Sequence, residues 1–195
     1  MLDDLAISPL PKILEAILVD TAEIEFGMAS EQRTGGLLRA LAAAKPGGEF
    51  LELGTGTGVS AAWLLDGMDE RATLDSVDND ARAQGVARHH LRHDARVTFH
   101  LSDGAEFLSW IAPRQFDLVF ADTWAGKFTH LDEALALVRV GGIYLVDDLL
   151  PQPNWPDGHD AKVDRLISTL DRRRGFAHVK LGWSSGVMML VRVDG

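Results

Sequence analysis

The chain has 195 residues, enough for one domain with a full core, and its 46% hydrophobic and 25% charged residues are the balance of a globular protein. A formal net charge of −10 without a dense Lys/Arg patch argues against the phosphate-neutralising footprint of a nucleic-acid binder. The absence of cysteine removes disulfides, thiolate catalysis and Cys-based zinc sites, and no apolar run approaches the roughly 18 residues of a membrane helix.

The start Met1-Leu2-Asp3-Asp4 is acidic, unlike the basic start of a signal peptide, so a cytoplasmic location is expected. Ile13, Leu14, Ile17, Leu18 and Ala22 recur at helical spacing within 10–25, and a second helix is expected over 31–44, stopped by Pro46-Gly47-Gly48. Phe50-Leu51-Glu52-Leu53 reads as a buried strand running into Gly54-Thr55-Gly56-Thr57-Gly58, with a helix over 59–65 behind it. A strand over 73–77 ends at Asp78-Asn79-Asp80 and leads to a polar helix over 81–93, whose His89, His90 and His93 read as solvated. A strand over 97–101 ends at Ser102-Asp103-Gly104, and a helix over 105–111 follows. The most apolar strand, 116–122, ends at Asp122; a helix over 129–138, closed by Gly141-Gly142, precedes a strand over 143–146 that ends in Asp147-Asp148. A proline-rich loop over 149–158, a helix over 161–173 closed by Arg172-Arg173-Arg174, and strands over 177–181 and 187–193 complete the chain. The last two are too close in sequence for a parallel crossover, so they form an antiparallel hairpin.

Alternating strands and helices predict one α/β domain with a mostly parallel sheet, two N-terminal helices over 1–45 and the core over 46–195. In such sheets a ligand sits beyond the carboxyl ends of the strands, where Gly54-Thr55-Gly56, Asp78, Asp103, Asp122 and Asp147-Asp148 all fall.

Glycines at 54, 56 and 58 allow a sharp turn and a close ligand approach. The pattern fits more than one ligand, because Gly56, Gly58 and Ala61 also satisfy a dinucleotide G-x-G-x-x-A frame. Asp78 stands where an acid accepts hydrogen bonds from a ribose diol, which both S-adenosylmethionine and NAD carry; as a plain turn or cap residue it competes with Asp80.

Phe50-Leu51-Glu52-Leu53-Gly54-Thr55-Gly56-Thr57-Gly58 resembles motif I of class I methyltransferases, with Glu52 two residues before the first glycine. From about residue 26 onward the chain resembles the catechol and caffeoyl-CoA O-methyltransferase family, including its small bacterial members. The resemblance implies a Rossmann-like three-layer α/β/α fold, with a seven-stranded sheet whose last strand inserts antiparallel. It also implies S-adenosylmethionine as cofactor and a homodimer. By the same resemblance Met28 lies against the cofactor, Glu52 and Gly54 line its methionine moiety, Ser60 contacts the carboxylate, and Thr55 and Gly56 are further cofactor-binding residues. Asp78 is the ribose-binding acid and Asp103 lies near the adenine, with Asn79 and Asp122 also among the cofactor-binding residues.

Methyl transfer from a sulfonium needs an aligned acceptor that loses a proton, and a divalent cation can lower the pKa of a hydroxyl. Asp122, Asp147 and Asp148 are hard oxygen ligands suited to magnesium, calcium or manganese. Val140-Gly141-Gly142-Ile143-Tyr144-Leu145-Val146-Asp147-Asp148 matches the family's second acidic block, with two departures. The family's Asn is Asp148, and the lysine expected three residues after Asp122 is Ala125, with Lys127 two further on. Lys127 and Asp122 are the candidate catalytic residues, and metal-dependent and metal-independent reactions both stay open. Trp124, Trp155 and His159 are expected on the loops bordering the acceptor, as stacking surfaces or as cover for the core edge, with His159 read as a surface residue.

The expected reaction is methyl transfer to a hydroxyl of a small molecule. A nitrogen acceptor, a short Rossmann oxidoreductase and a non-catalytic S-adenosylmethionine binder are the alternatives. The oxidoreductase lacks its Tyr-x-x-x-Lys motif, since the single tyrosine, Tyr144, has Asp148 four residues on.

Overall fold

The computed structural model describes residues 7–194, so the acidic start at Met1-Leu2-Asp3-Asp4 lies outside the described residues. Helices α1 (Leu14–Glu23) and α2 (Gln32–Ala43) precede β1 (Glu49–Leu53), α3 (Val59–Gly67), β2 (Thr73–Asp78), α4 (Ala81–Leu91) and β3 (Val97–Leu101). Then come α5 (Gly104–Ile111), β4 (Phe116–Ala121), α6 (Leu131–Ala136), β5 (Val138–Val146), α7 (His159–Asp171), β6 (Phe176–Leu181) and β7 (Val187–Arg192). The strands form one sheet in the order β3-β2-β1-β4-β5-β7-β6, parallel except for β7, which pairs antiparallel with β5 and with β6. The expected closing hairpin is thus present, and its second strand is the one inserted against β5.

Alternation along the strands sorts the core into two layers. Phe50, Leu74, Leu118, Phe120, Ile143 and Leu145 face α1, α2, α3 and α4, where Leu14, Ile17, Leu38 and Trp63 are buried. Leu51, Leu53, Val119, Tyr144 and Val146 face α5, α6 and α7 through Phe107, Leu135, Val163 and Leu166. This is the three-layer α/β/α arrangement. Gly35 lets α2 lie directly on Trp63, since a Cβ there would stand 2.3 Å from the indole.

Two local expectations are corrected. Gly141-Gly142 does not close a helix: α6 ends at Ala136 and the pair lies inside β5. Phe116 pairs with Val138 and Leu118 with Ile143, so two steps along β4 match five along β5, and Gly141 at φ 77° takes up the excess as a bulge. The β-branched residues Val138 and Val140 favour strand over helix there. His90 is not solvated either; it forms a 2.7 Å contact with Asp20 across the α1–α4 junction. Among the described residues no helix is long and apolar enough to cross a membrane.

Candidate active site

The sheet order reverses between β1 and β4, and a cleft of about 560 Å³ opens beyond their carboxyl ends, the expected ligand position for such a fold. Gly54, Gly56, Thr55, Ser60, Asp78, Asn79, Asp122, Asp147, Asp148, Lys127 and Met28 all border it. Met28 stands on the outer lip, 69% exposed, whereas Ser60 is buried in the first turn of α3.

The glycine loop is a strained turn that only these residues permit. Gly54, Gly56 and Gly58 have φ of 105°, 51° and 89°, and a Cβ on Gly54 would sit 2.7 Å from the Asp122 carbonyl oxygen. The loop is tied down from several sides. Gly54 and Thr55 amides donate to the Val77 carbonyl at 2.9 and 3.2 Å, Thr21 donates to the Thr57 hydroxyl at 2.8 Å, and Thr55 shares a 2.6 Å hydrogen bond with Ser76. Asp78 Oδ2 accepts from the Gly56 amide at 2.7 Å, which fixes the acid against the loop. Asp80, not Asp78, caps α4, accepting from Arg82 and Ala83.

Two expected ligand residues are placed elsewhere. Glu52 is fully buried beneath the loop and does not line the cleft. Its Oε2 accepts from Ser76 at 2.5 Å while Oε1 has no partner. Burial pushes its carboxyl up to about 8, against the neighbouring hydroxyls of Ser60 and Ser76, so it is largely protonated at neutral pH. Asp103 also stays outside the cleft: it caps α5, accepting from the amides of Ala105 and Glu106 at 2.8 and 3.1 Å.

The far end of the cleft is acidic. Lys127, 6% exposed, sets its Nζ 3.1 Å from Asp122 Oδ1 and 3.9 Å from Asp148 Oδ2. Ser30 donates to Asp122 Oδ2 at 3.2 Å; Asp147 Oδ1 accepts from Ser185 and, at 2.8 Å, from the Asp148 amide. Burial pushes the Asp122 carboxyl upward, opposed by the Lys127 ammonium and reinforced by Asp147 and Asp148. Burial likewise raises Asp147, against its bond from Ser185. Asp148 adopts φ 60°, a left-handed conformation that Asp and Asn tolerate better than other side chains.

These acids border one cleft, yet they do not gather as a metal cage. Among the described residues, the group whose ligand atoms lie within 4.8 Å of one another is Asp20, His89 and His90, away from the cleft. The Lys127 ammonium stands between Asp122 and Asp148, so the acid set as arranged does not fit a divalent cation.

The opposite wall is aromatic. His159 opens α7 beside Trp155, Phe128 and Trp124, with ring centroids 4.7, 5.1 and 6.0 Å away, and Lys162 lies 4.4 Å over the Trp124 ring. It is therefore a cleft residue, not the surface histidine expected. Its Nδ1 is buried without a partner, and desolvation, then Lys162 and Lys127, hold its pKa below the ordinary value, so the ring is neutral at pH 7.

Ser30, Gln152, Asn154 and Ser185 also line the cleft, although no motif in the sequence points to them. Only the proline-rich loop carried a local signal, by its position after a strand-end acid. Ser185 comes from the β6–β7 turn, which reaches the site through the insertion of β7 beside β5.

Comparison with known proteins agrees with this geometry. Residues 51–149 match the family described as a methyltransferase domain. A Mycobacterium marinum protein provisionally named an O-methyltransferase is 32% identical over 197 residues, covering 92% of this chain and 87% of its own. A Mycobacterium tuberculosis relative named in the same way is 32% identical across 81% of this chain and 75% of its own. In fold, the chain is similar to a Bacillus cereus O-methyltransferase solved with SAH (TM-score 0.83, 19% identity, 96% of this chain and 93% of that one). It is also similar to TomG of Streptomyces achromogenes solved with SAM (TM-score 0.81, 21% identity, 94% and 90%). With half its length matching the domain and a relative 32% identical along nearly all of it, the chain belongs to the methyltransferase family that includes these O-methyltransferases.

Proposed function

We propose that the chain transfers a methyl group from S-adenosylmethionine to a hydroxyl oxygen of a small molecule. The observation that carries this reading is the Asp78–Gly56 hydrogen bond at the switch point of the sheet, in a cleft that continues to the acidic and aromatic walls. The loop fits the donor: three left-handed glycines leave a cradle that a Cβ would fill, as at Gly56, where it would meet the Phe26 ring at 3.2 Å. Asp78 and Asn79 take the ribose diol, the loop amides and Ser60 take the methionine end, and Met28 covers it. Glu52 acts from below, holding Ser76 and through it Thr55.

S-adenosylmethionine, when bound, supplies an electrophilic methyl on sulfur, which the acceptor oxygen displaces in line as its own proton leaves. The chain's residues align and deprotonate that acceptor. Trp124, Phe128 and Trp155 present faces and edges to a flat molecule. Neutral His159 and the Asp122 carboxylate are the groups able to take the proton. Lys127 places positive charge where negative charge develops on oxygen. Magnesium, calcium or manganese would find oxygen ligands in Asp122, Asp147 and Asp148, but Lys127 stands among them, and no step here uses a metal. Tyr144 takes no part in a hydride-transfer alternative, because its buried hydroxyl donates to the Gly126 carbonyl.

The test is incubation with methyl-tritiated S-adenosylmethionine and a library of hydroxylated and amino acceptors. Label on oxygen supports the proposal; label on nitrogen alone, or no transfer despite cofactor binding, rejects it. Self-association is part of the same reading: Leu18 and Val19 stay exposed on the outer face of α1, and a dimer through that face should dissociate in Val19→Glu by sedimentation velocity.

A further inference from the structure

We propose that Lys127 is a built-in replacement for the divalent cation, its ammonium locking the carboxylates of Asp122 and Asp148 so that no metal enters. This rests on the methyl-transfer reading for its consequence, not for its test. The family resemblance places a metal among Asp122, Asp147 and Asp148, and its lysine at position 125. Position 125 here is an alanine buried in the core on the α5 side, where a Cβ on Gly104 would already stand 2.8 Å from it. That position has no room for a lysine and does not line the cleft.

Lys127 comes instead from a rigid loop. The amides of Lys127, Phe128 and Thr129 donate to the Trp124 carbonyl at 3.2, 2.9 and 3.1 Å, and Gly126 donates to the Thr129 carbonyl at 2.7 Å. Gly126, at φ 89°, accepts the Tyr144 hydroxyl, and a side chain there would strike Leu53 and Tyr144. The loop thereby commits the buried ammonium to its place.

Three of the carboxylate oxygens are engaged as well. Asp122 uses one oxygen on Lys127 and the other on Ser30, and Asp147 Oδ1 takes two donors, Ser185 and the Asp148 amide. A divalent cation would have to displace a monovalent one that is covalently tethered and buried. A tethered ammonium supplies less charge than magnesium, and two of its contacts are already spent on Asp122 and Asp148, so the acceptor it serves needs only one hydroxyl.

The experiment is titration of the purified protein with manganese(II), followed by electron paramagnetic resonance. Four proteins are compared: wild type, Asp122→Asn, Lys127→Met, and Lys127→Met with Asp122→Asn. Methionine keeps the length of the stem without the charge. Circular dichroism confirms that each is folded. Asp20, His89 and His90 offer the ion another resting place, so dependence on Asp122 is the readout. The expected result is no Asp122-dependent manganese in the wild type, one bound ion per chain in Lys127→Met, and its loss in the double variant. Wild-type manganese binding that Asp122→Asn abolishes overturns the proposal. So does a folded Lys127→Met protein that gains no ion. Neither outcome requires turnover, so failure here is distinct from failure of the methyl-transfer assay. With an acceptor in hand, turnover should survive chelation and fall about 100-fold in Lys127→Met, the loss typical of one transition-state charge partner.

Discussion

Replacing Glu52 by glutamine should change how stability depends on pH. Glu52 is fully buried, with its carboxyl pushed from 4.5 to about 8. A raised carboxyl contributes stability that is complete below pH 4.5 and is lost as pH rises through 8, because the unfolded chain ionises freely while the folded one must keep its proton. At pH 7 the folded state holds that proton against the unfolded state at a cost of about 3 kcal/mol, from 1.36 kcal/mol per pH unit over the gap above 4.5. Glutamine does not titrate, so the stability difference between Glu52→Gln and wild type should grow by about 1.4 kcal/mol per pH unit from roughly pH 5 to 7.5 and flatten above 8. The additional N–H near Ser76 sets a constant offset that does not alter the slope. Urea unfolding followed by tryptophan fluorescence, at half-unit steps of pH, reads it directly. The accumulated 3 kcal/mol corresponds to a rise of roughly 6–12 °C in relative Tm for a chain of this size. A stability difference constant across that range would refute the burial argument for Glu52.

Two other substitutions probe the scaffold around the cleft. Gly54→Ala forces a side chain into a left-handed backbone and against the Asp122 carbonyl, so a loss of about 2–4 kcal/mol together with weakened cofactor binding is expected in calorimetry. Tyr144→Phe removes the donor to the Gly126 carbonyl and should cost about 1–3 kcal/mol in denaturant titration, the usual cost of an orphaned buried acceptor.

Much of this architecture is written locally. The alternation of Phe50, Leu51 and Leu53 sets β1 between two helical layers, and the glycines that follow announce the turn because no other residue accepts those backbone angles cheaply. Strand-end acids could be placed on one rim from spacing alone, since parallel strands bring their carboxyl ends together. What spacing does not encode is where each side chain spends its hydrogen bonds. Asp103 and Asp78 look alike in sequence, yet one caps a helix and the other braces the glycine loop. Glu52 belongs to the motif but points to the floor, because alternation along β1 sends it under the loop, against Ser76. His90 finds Asp20 seventy residues away, and Ser185 reaches Asp147 only because β7 inserts beside β5. Gly141-Gly142 misled because a glycine pair marks a strand bulge as readily as a helix stop.

The loop from Gly54 to Gly58, braced by Asp78, is the proposed seat of the methyl donor. Isothermal titration of the apo protein with S-adenosylhomocysteine, beside NAD as a control ligand, tests it most directly. One site per chain is expected for S-adenosylhomocysteine, none for NAD, with a loss of affinity of at least about tenfold in Asp78→Ala, the effect of one charge-assisted hydrogen bond. No heat with S-adenosylhomocysteine, or binding that Asp78→Ala leaves untouched, would contradict it.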